Sequence, residues 1–564
     1  MKKTMKKCLT LLLALAMLLA MAVPAVAEEN YSREITFTDV AQGDTVKAYK
    51  LGWYDENYNK YIFHDGFINF LQHQEPDKLP ENVLKDTTKE GLTAMIANYV
   101  LMDGHSLAGV TITLPSDPVE MVAGTDNKVQ MTLEPGYYLL LVSTTEQNNR
   151  TYMPVTVFVQ VKNGNVKVYA AGSELADDLT AVFKHEEGPA INVRVNDDSR
   201  GIDERKETAG GRVGETMDFY MEVSTPAYTD NTFNITKLTA NCQLAGLNYV
   251  ADSMKATTLP NAGSDAVEGA IKGTTVGADG NLTVELDYSK IRNAATGRGL
   301  IYLHFQATVA PDAVAESEAS ATAKLEYVFS MEADKTKTTA DSTAAVYNYD
   351  FTLFKKSNEL IDPSNAGSSH RPLAGAGFIL YADEAMNTPV SMVKVDATTT
   401  TDAYYRPATA AEITAGTGIV TEMDANMGND NNTLSIRGLD VGSYYVKETK
   451  TPSGYYAPKG IFKLELAAVL NTGETLDKQL ASGGFSNLDK ADTLLIQHNE
   501  VNKNLNRFEV HLLNSSTPVL PTTGGVGTVM FTVIGLLCMG AALWFFLFAR
   551  RRREDEQEQN KTTL

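Results

Sequence analysis

Three polar residues, Lys355, Glu448 and Asn514, each end a run in which apolar side chains alternate with other residues. In a β-strand, side chains two positions apart lie on the same face. The residues that share a face with the three polar ones are Phe351, Leu353, Tyr444, Val446, Phe508, Val510 and Leu512. The alternation therefore places an amine, a carboxyl and a carboxamide on faces that turn toward a core. Burial of three such groups costs free energy unless they pair or react.

The elements that must position these groups are strands. Alternating segments recur along the chain, for example at residues 151–161, 281–286 and 508–512, and such segments are typical of half-buried strands. One helix is predicted at residues 90–102, where apolar residues recur at helical spacing. We predict an all-β chain of tandem immunoglobulin-like β-sandwich domains, the first of which has a helical insertion.

The N-terminus has the features of a secretory signal peptide. Four lysines precede an apolar run at residues 9–23, and Ala25 and Ala27 supply the small residues of a cleavage site. The alternative is an uncleaved membrane anchor, but the apolar run is short for a membrane span. We predict that the signal peptide, residues 1–27, is cleaved after Ala27.

The C-terminal region contains a second apolar segment, which is long enough to cross a membrane. Residues 525–549 are nearly all apolar or small, and four arginines, Arg550 to Arg553, follow directly. About twenty helical residues span the hydrocarbon core, and positive charge stays on the cytoplasmic side. The sequence therefore predicts a transmembrane helix at 525–549, a cytoplasmic tail at 550–564 and an exported body.

A pentapeptide immediately before this segment changes the interpretation of the segment as an ordinary membrane anchor. It lies in a linker at 516–524 and consists of Leu520, Pro521, Thr522, Thr523 and Gly524. Together with the apolar span and the arginines, it resembles the sorting signal of LPXTG surface proteins of Gram-positive bacteria. The resemblance implies that a sortase cysteine attacks the Thr523 carbonyl and breaks the bond to Gly524. An amine of peptidoglycan or of its lipid-linked precursor then captures the acyl group, so we expect the protein at the cell wall.

Charge and cysteine content narrow the range of partners and stabilising bonds. The formal net charge is −21, which argues against nucleic acid and anionic lipid as partners. Of three cysteines, Cys8 lies in the signal peptide, Cys538 in the membrane segment and only Cys242 in the mature chain. An intramolecular disulfide in the mature chain is therefore excluded, although exported proteins often use disulfides as stabilising bonds.

The length of the exported body favours three domains, which we place at 28–188, 189–348 and 349–515. The third block carries the segments 349–355 (YDFTLFK), 372–381 (PLAGAGFILY), 442–449 (GSYYVKET) and 508–514 (FEVHLLN). These closely resemble the B-type domain of the staphylococcal collagen adhesin, which recurs in Gram-positive pilins. The resemblance implies an intramolecular isopeptide bond between Lys355 and Asn514, assisted by a buried Glu448. The alternative is a surface lysine beside Lys356 and an ordinary asparagine at the edge of the core.

The implied reaction requires burial. Removal from water disfavours the charged forms of both an amine and a carboxyl group. A neutral Lys355 amine can then attack the Asn514 amide carbon, while protonated Glu448 polarises the amide oxygen and relays protons, and ammonia leaves. Because the fold itself holds the reactants together, Glu448 would be the catalytic residue of an autocatalytic reaction that needs no separate enzyme.

The second block, 189–348, resembles the D2 fimbrial domain of the same pilins through 213–216 (VGET), 234–238 (NITKL) and 244–249 (LAGLNY). Members of that family usually carry Lys, Asp and Asn at three positions. This sequence has Val193 or Arg194, Lys237 and Ala321 there. We predict no bond of the usual kind, and a rearranged crosslink through Lys237 stays open. The first block has Val142 where Glu448 stands in the third, and we predict no crosslink there.

The order of signal, three domains and sorting motif resembles the major shaft subunit of sortase-assembled pili. The resemblance implies a lysine near the end of the first domain, usually in the motif Tyr-Pro-Lys. In such subunits this lysine attacks the acyl-sortase that carries the next subunit. Here the candidate is Lys184 in the segment VFK, which lacks the proline. The alternative is a solvent-facing strand lysine without this role.

We predict a structural subunit of a cell-wall-anchored pilus, involved in adhesion, and not an enzyme. Its partners would be a sortase, peptidoglycan and other pilin subunits, with a host or matrix ligand as a further candidate. The alternative is a non-polymerising LPXTG wall adhesin. A wall-anchored hydrolase has no supporting residues, and the eight histidines show no paired metal-ligand spacing. We expect no metal and no cofactor.

Overall fold

The computed structural model describes most of the exported body and the C-terminal helix. The described residues are 31–55, 60–74, 99–100, 106–107, 110–111, 113–114, 116–145, 148–196, 205–226, 234–260, 266–294, 299–314, 319–330, 335–471, 476–489, 495–516 and 526–561. The predicted signal peptide with Ala27, and the sorting motif from Leu520 to Gly524, lie outside the described residues.

The strands of the first sandwich lie between Arg33 and Glu187. They are β1 (Arg33–Thr38), β2 (Thr45–Asp55), β3 (Lys60–Phe63), β4 (Ser106–Leu107), β5 (Val110–Thr111), β6 (Val119–Val122), β7 (Lys128–Leu133), β8 (Gly136–Ser143), β9 (Arg150–Tyr152), β10 (Val155–Lys162), β11 (Asn165–Ala170), β12 (Ser173–Glu174), β13 (Thr180–Val182) and β14 (His185–Glu187). Helix α1 spans Asp65–Gln74. One sheet has the order β13-β1-β7, and the larger one the order β12-β11-β10-β8-β2-β3, with β6 beside β2.

The larger sheet of the first sandwich is buried on both faces, and strand β8 shows why. Tyr138 and Leu140 belong to the core between the two sheets. Tyr137 and Leu139 point the other way and join an apolar cluster that includes Phe67 of α1. A strand that is covered on both sides typically has a continuous run of apolar residues. Strand β8 has such a run, YYLLLV.

One strand and one helix predicted in the first block have different outcomes. The single strand predicted at 151–161 is wrong, because this range holds two strands in different sheets, β9 and β10, separated at Met153 and Pro154. Proline has no N–H to donate to a strand ladder, which accounts for the break. The helix predicted at 90–102 lies almost wholly outside the described residues, and only 99–100 are described there, as helical.

The strands of the second sandwich lie between Ala190 and Tyr347. They are β15 (Ala190–Asn196), β16 (Arg205–Lys206), β17 (Thr208–Gly210), β18 (Thr216–Thr225), β19 (Ile235–Ala245), β20 (Leu247–Tyr249), β21 (Lys255–Thr257), β22 (Ile271–Val276), β23 (Leu282–Leu286), β24 (Gly299–Val309), β25 (Ala319–Phe329), β26 (Lys337–Thr338) and β27 (Ser342–Tyr347), with helix α2 (Tyr288–Ala294). The sheets have the orders β16-β15-β18-β24-β20 and β17-β27-β25-β19-β23-β22.

The strands of the third sandwich lie between Tyr349 and Asn514. They are β28 (Tyr349–Leu360), β29 (His370–Pro372), β30 (Ala376–Tyr381), β31 (Met392–Val395), β32 (Tyr404–Pro407), β33 (Ile419–Val420), β34 (Glu422–Ala425), β35 (Thr433–Leu439), β36 (Gly442–Lys450), β37 (Phe462–Leu470), β38 (Leu476–Asn487), β39 (Ile496–Asn502) and β40 (Arg507–Asn514), with helix α3 (Ala410–Ala415). The sheets have the orders β33-β31-β32-β35-β28-β40-β39 and β34-β30-β36-β37-β38, and one apolar core lies between them.

The chain ends in a long helix, α4 (Val526–Lys561). Within it, the segment Phe531–Glu554 is long enough to cross a membrane and contains an apolar stretch with a mean hydropathy of 2.3. The helix continues beyond the predicted membrane boundary at 549 and includes Arg550 to Arg553. The prediction of an all-β body of tandem domains with a C-terminal membrane-spanning helix is confirmed. The domain boundaries at 188 and 348 stay proposals.

Candidate functional site

The first and last strands of the third sandwich are neighbours in the same sheet. Strands β28 and β40 run parallel, with Lys355 opposite Leu512 and Ser357 opposite Asn514. Parallel neighbours cannot be joined by a short turn, and the chain between them forms the rest of the sandwich. Glu448 lies on β36 in the facing sheet. The site therefore joins both sheets across the core.

The three predicted residues meet in this core. The Lys355 Nζ donates hydrogen bonds to Asn514 Oδ1 and, at 3.2 Å, to the Leu512 carbonyl oxygen. Glu448 Oε2 lies 3.2 Å from Nζ, and the Asn514 Nδ2 donates to Glu448 Oε1 at 2.7 Å. The Lys355 and Glu448 side chains are 0% and 1% exposed. The alternative of a surface lysine does not fit Lys355.

Burial determines the acid–base behaviour of the amine. It lowers the pKa of Lys355 from 10.5 to about 8, and the nearby Glu448 opposes part of that shift. A lysine whose pKa is lowered loses its proton more readily near neutral pH than a solvated lysine does. A neutral amine has the free electron pair that a charged ammonium lacks. The site therefore supplies a nucleophile in contact with a carboxamide.

The orientation of Asn514 suits amide exchange. Its oxygen faces the Lys355 amine and its nitrogen faces Glu448. Bond formation from Nζ to the Asn514 carbon would break the bond from that carbon to Nδ2. Glu448 contacts the amide nitrogen and not the amide oxygen that the sequence-based mechanism has it polarise. It lies where it can accept a proton from the amine and deliver one to the departing nitrogen, so that ammonia leaves. The arrangement can perform this chemistry without another reactant.

The end of strand β40 is held just beyond Asn514, which sequence reasoning missed. The backbone N–H of Tyr456 donates to the Ser515 carbonyl at 2.9 Å. The Asn358 Nδ2 donates to Ser515 Oγ at 3.2 Å, and its Oδ1 accepts from the Ser516 N–H at 3.2 Å. Asn358 lies on β28 after Lys355, so only knowledge of the parallel pairing could have indicated this contact.

The second sandwich has other residues at the positions where related fimbrial domains carry the crosslinking Lys, Asp and Asn. Val193 and Ala321 are fully buried, and Arg194 pairs with Glu207 at its surface. Lys237 is exposed on β19, outside the core of the second sandwich. In the first sandwich Val142 is half-buried on β8. The predictions of no crosslink in these two blocks stay predictions.

The structure places Lys184 at the surface, between β13 and β14. The preceding Phe183 is fully buried, and the Lys184 carbonyl accepts a hydrogen bond from the Met153 N–H at 2.9 Å. The backbone at Lys184 is therefore fixed while its side chain reaches solvent. An exposed amine on a fixed backbone is accessible to an enzyme-bound acyl group.

Two family models match the C-terminal part of the chain. The SpaA family, a prealbumin-like fold domain, matches residues 364–477, which include Glu448 but neither Lys355 nor Asn514. The LPXTG cell wall anchor motif matches residues 513–556. No curated protein sequence matches the chain significantly.

Solved structures with similar folds include Gram-positive pilins. The T6 backbone pilin of serotype M6 Streptococcus pyogenes aligns over 86% of this chain and 98% of its own, with 14% identity and a TM-score of 0.51. The full-length major pilin SpaD of Corynebacterium diphtheriae aligns over 86% and 98%, with 14% identity and a TM-score of 0.44. The major pilin SpaA of the same organism aligns over 86% and 99%, with 13% identity and a TM-score of 0.42.

The fold and the anchor motif together define the class of protein to which the chain belongs. The chain is an LPXTG-anchored protein with a prealbumin-like domain and the fold of Gram-positive pilins. Its anchor motif and C-terminal apolar helix make it a cell-wall-anchored surface protein that passes through a membrane-bound precursor. The anchor implies processing by a sortase.

Proposed function

We propose that this protein is a load-bearing structural subunit of a sortase-assembled, cell-wall-anchored pilus, with a role in adhesion. The observation that carries the proposal is the buried contact among Lys355, Glu448 and Asn514 on the first and last strands of the third sandwich. In this proposal Lys355 and Asn514 are joined by an isopeptide bond, and Glu448 is the catalytic residue.

The position of the bond suits a protein under tension. The sorting motif follows Asn514 by a few residues, and β28 follows the second sandwich directly. A pull between the two ends of this sandwich would therefore act on β40 and β28. With a covalent bond between Lys355 and Asn514, the force passes from one strand to the other. The chain between these two residues, which forms most of the sandwich, would then carry none of it.

Polymerisation needs an acceptor amine, and we assign this role to Lys184. Its ammonium group, once deprotonated, would attack the acyl-sortase carrying Thr523 of another subunit. An amide forms between the lysine and that threonine, and the sortase cysteine is released. The last subunit would be transferred to peptidoglycan or its lipid-linked precursor in the same way.

A non-polymerising wall adhesin is the second candidate. It is favoured by one observation, the absence of the proline that usually precedes the acceptor lysine of pilins, since the segment here reads Val182, Phe183 and Lys184. Such a protein would display its first sandwich to a host or matrix ligand and would leave the wall as a single species.

Immunoblotting of wall extracts boiled in detergent distinguishes the two. A pilus subunit gives a ladder of covalent polymers, which we expect to disappear in Lys184→Ala. Lys167→Ala is the matched control, since Lys167 is also an exposed lysine of the first sandwich, and it should keep the ladder. A single band in the wild type would reject polymerisation, and a ladder that survives in Lys184→Ala would reject Lys184 as the acceptor.

A further inference from the structure

Asn432 lies next to the crosslinking lysine, at the end of the turn that leads into β35. It is a buried polar residue with 5% of its surface exposed. Its backbone carbonyl accepts a hydrogen bond from the Lys355 N–H at 2.7 Å. Its side-chain Nδ2 donates to the Lys355 carbonyl at 2.9 Å. One residue thus binds both backbone groups of Lys355.

These contacts extend the sheet by one position where the regular ladder stops. Strands β28 and β35 pair up to Phe354 opposite Thr433, the first residue of β35. Asn432 stands one step further, opposite Lys355, and its carboxamide takes the place of a backbone donor. The Leu373 N–H also donates to the Lys355 carbonyl, at 3.0 Å. On its other side Lys355 pairs with β40, the strand that carries Asn514.

We propose that Asn432 is a positioning residue for the bond between Lys355 and Asn514, an inference that rests on the proposed function. The lysine side chain is long and flexible, so its amine is only as well placed as the backbone that carries it. Fixing both backbone groups of Lys355 holds Nζ against the Asn514 carboxamide. A misplacement of about 1 Å can slow a reaction between oriented groups by up to about a hundredfold.

The prediction is that Asn432→Ala and Asn432→Asp form the crosslink at least about tenfold more slowly than the wild type. Alanine removes the donor, whereas aspartate keeps the shape but turns a carboxylate oxygen toward the Lys355 carbonyl. The measurement is a pulse label of the full chain in growing cells. Samples taken over time are digested, and the peptide that joins Lys355 to Asn514 is quantified by mass spectrometry.

Asn487→Ala is the matched control. Asn487 is likewise 5% exposed, and its Nδ2 donates to the Lys459 carbonyl at 2.6 Å. It lies in the same sandwich but on β38, in the other sheet from Lys355. Thermal unfolding of the purified full chains compares the stability lost in each variant. A residue with only a structural role would slow crosslinking in proportion to that loss, so Asn487→Ala would then be as slow as Asn432→Ala.

The outcomes separate the two proposals. The positioning role is supported if the wild type and Asn487→Ala form the crosslink quickly and both Asn432 variants form it slowly. Equal rates in all four proteins, or equal slowing in Asn432→Ala and Asn487→Ala, would overturn that role and leave the crosslink intact. A wild type that never yields the joined peptide would overturn the crosslink itself and this inference with it.

Discussion

Two buried cations of the third sandwich illustrate two uses of a positive charge. Arg406 is 7% exposed and binds the Glu412 carboxylate with two nitrogens. A guanidinium stays charged in proteins, so this pair is permanent. Lys355 meets one carboxylate and one amide, and its amine can lose its proton. The arginine therefore keeps its charge, whereas the lysine can supply the neutral nucleophile that the proposed bond requires.

The Arg406 contact predicts how the third sandwich responds to acid. Hydrogen bonds from Arg406, above all, lower the pKa of Glu412 from 4.5 to about 2. A carboxyl group with a lowered folded pKa stabilises the protein above its unfolded pKa, and that stability is lost as the pH falls through the folded value. We expect Glu412→Gln to cost about 1 kcal/mol at neutral pH, the scale of a helix cap.

The measurement is urea unfolding of wild type and Glu412→Gln at several pH values. Their difference in free energy of unfolding should shrink from pH 4.5 toward pH 2, the interval between the two pKa values. A difference that stays constant over that interval would show that the Glu412 charge contributes nothing to stability.

At the residue scale, the strand pattern predicted which side chains face the core, and the family resemblance predicted which three of them meet. Period-two alternation placed Lys355, Glu448 and Asn514 on inward faces, because strand geometry alone determines which side chains share a face. The role of Asn432 was not predicted. It lies in a run of asparagines that favours a turn, and only the three-dimensional pairing shows that its side chain reaches the Lys355 backbone.

At the scale of the element, the parallel pair of β28 and β40 closes the third sandwich. The residues joined by the proposed bond are 159 positions apart. A crosslink around a loop of that length reduces the freedom of the unfolded chain and is worth about 5 kcal/mol in the loop-entropy model. The bond would therefore supply a large share of a domain's ordinary stability.

Glu448→Gln tests this contribution, because it keeps the shape of the side chain and removes the carboxyl that relays protons in the proposed reaction. We expect its third sandwich to unfold at least about 10 °C lower than that of the wild type. Calorimetry of the full chain measures the shift. Lys447→Ala, an exposed neighbour on the same strand, should unfold like the wild type. Equal unfolding temperatures for Glu448→Gln and wild type would contradict a stabilising bond.

Elements whose signal is spread over distant residues were harder to predict than long alternating strands. Helix α1 was not predicted, since its apolar residues Phe67 and Phe70 gain their meaning only from the sheet they cover. Helix α3 has six residues and depends on a capping box of Thr409 and Glu412. Tertiary contacts, more than helix propensity, stabilise such short elements.

At the scale of the whole molecule, the sandwiches are joined by close contacts. The Val213 N–H of the second sandwich donates to the Gly438 carbonyl of the third at 3.0 Å. Gly438 has a φ of 78° and leaves only 2.5 Å between an added Cβ and the Val213 side chain, so only glycine fits. Between the first and second sandwiches, Tyr327 donates to the Asn149 carboxamide oxygen at 2.7 Å. These contacts connect each sandwich to the next in a chain that is anchored at one end.

The overall order of the molecule was the most predictable part. Signals at the termini are local in sequence, so the anchor could be read from a few residues near Leu520 and from the apolar span. The contacts between the sandwiches could not be predicted from the sequence, because they join residues far apart in the chain, such as Asn149 and Tyr327.

The most direct test of the account is a peptide map of the protein released from the cell wall. The wild type should yield one branched peptide that contains Lys355 and Asn514 and is lighter than the sum of its two parts by one ammonia. Glu448→Gln should yield the two peptides separately at full mass. Separate, unmodified peptides from the wild type would contradict the bond, and with it the proposal that this sandwich transmits force through Lys355 and Asn514.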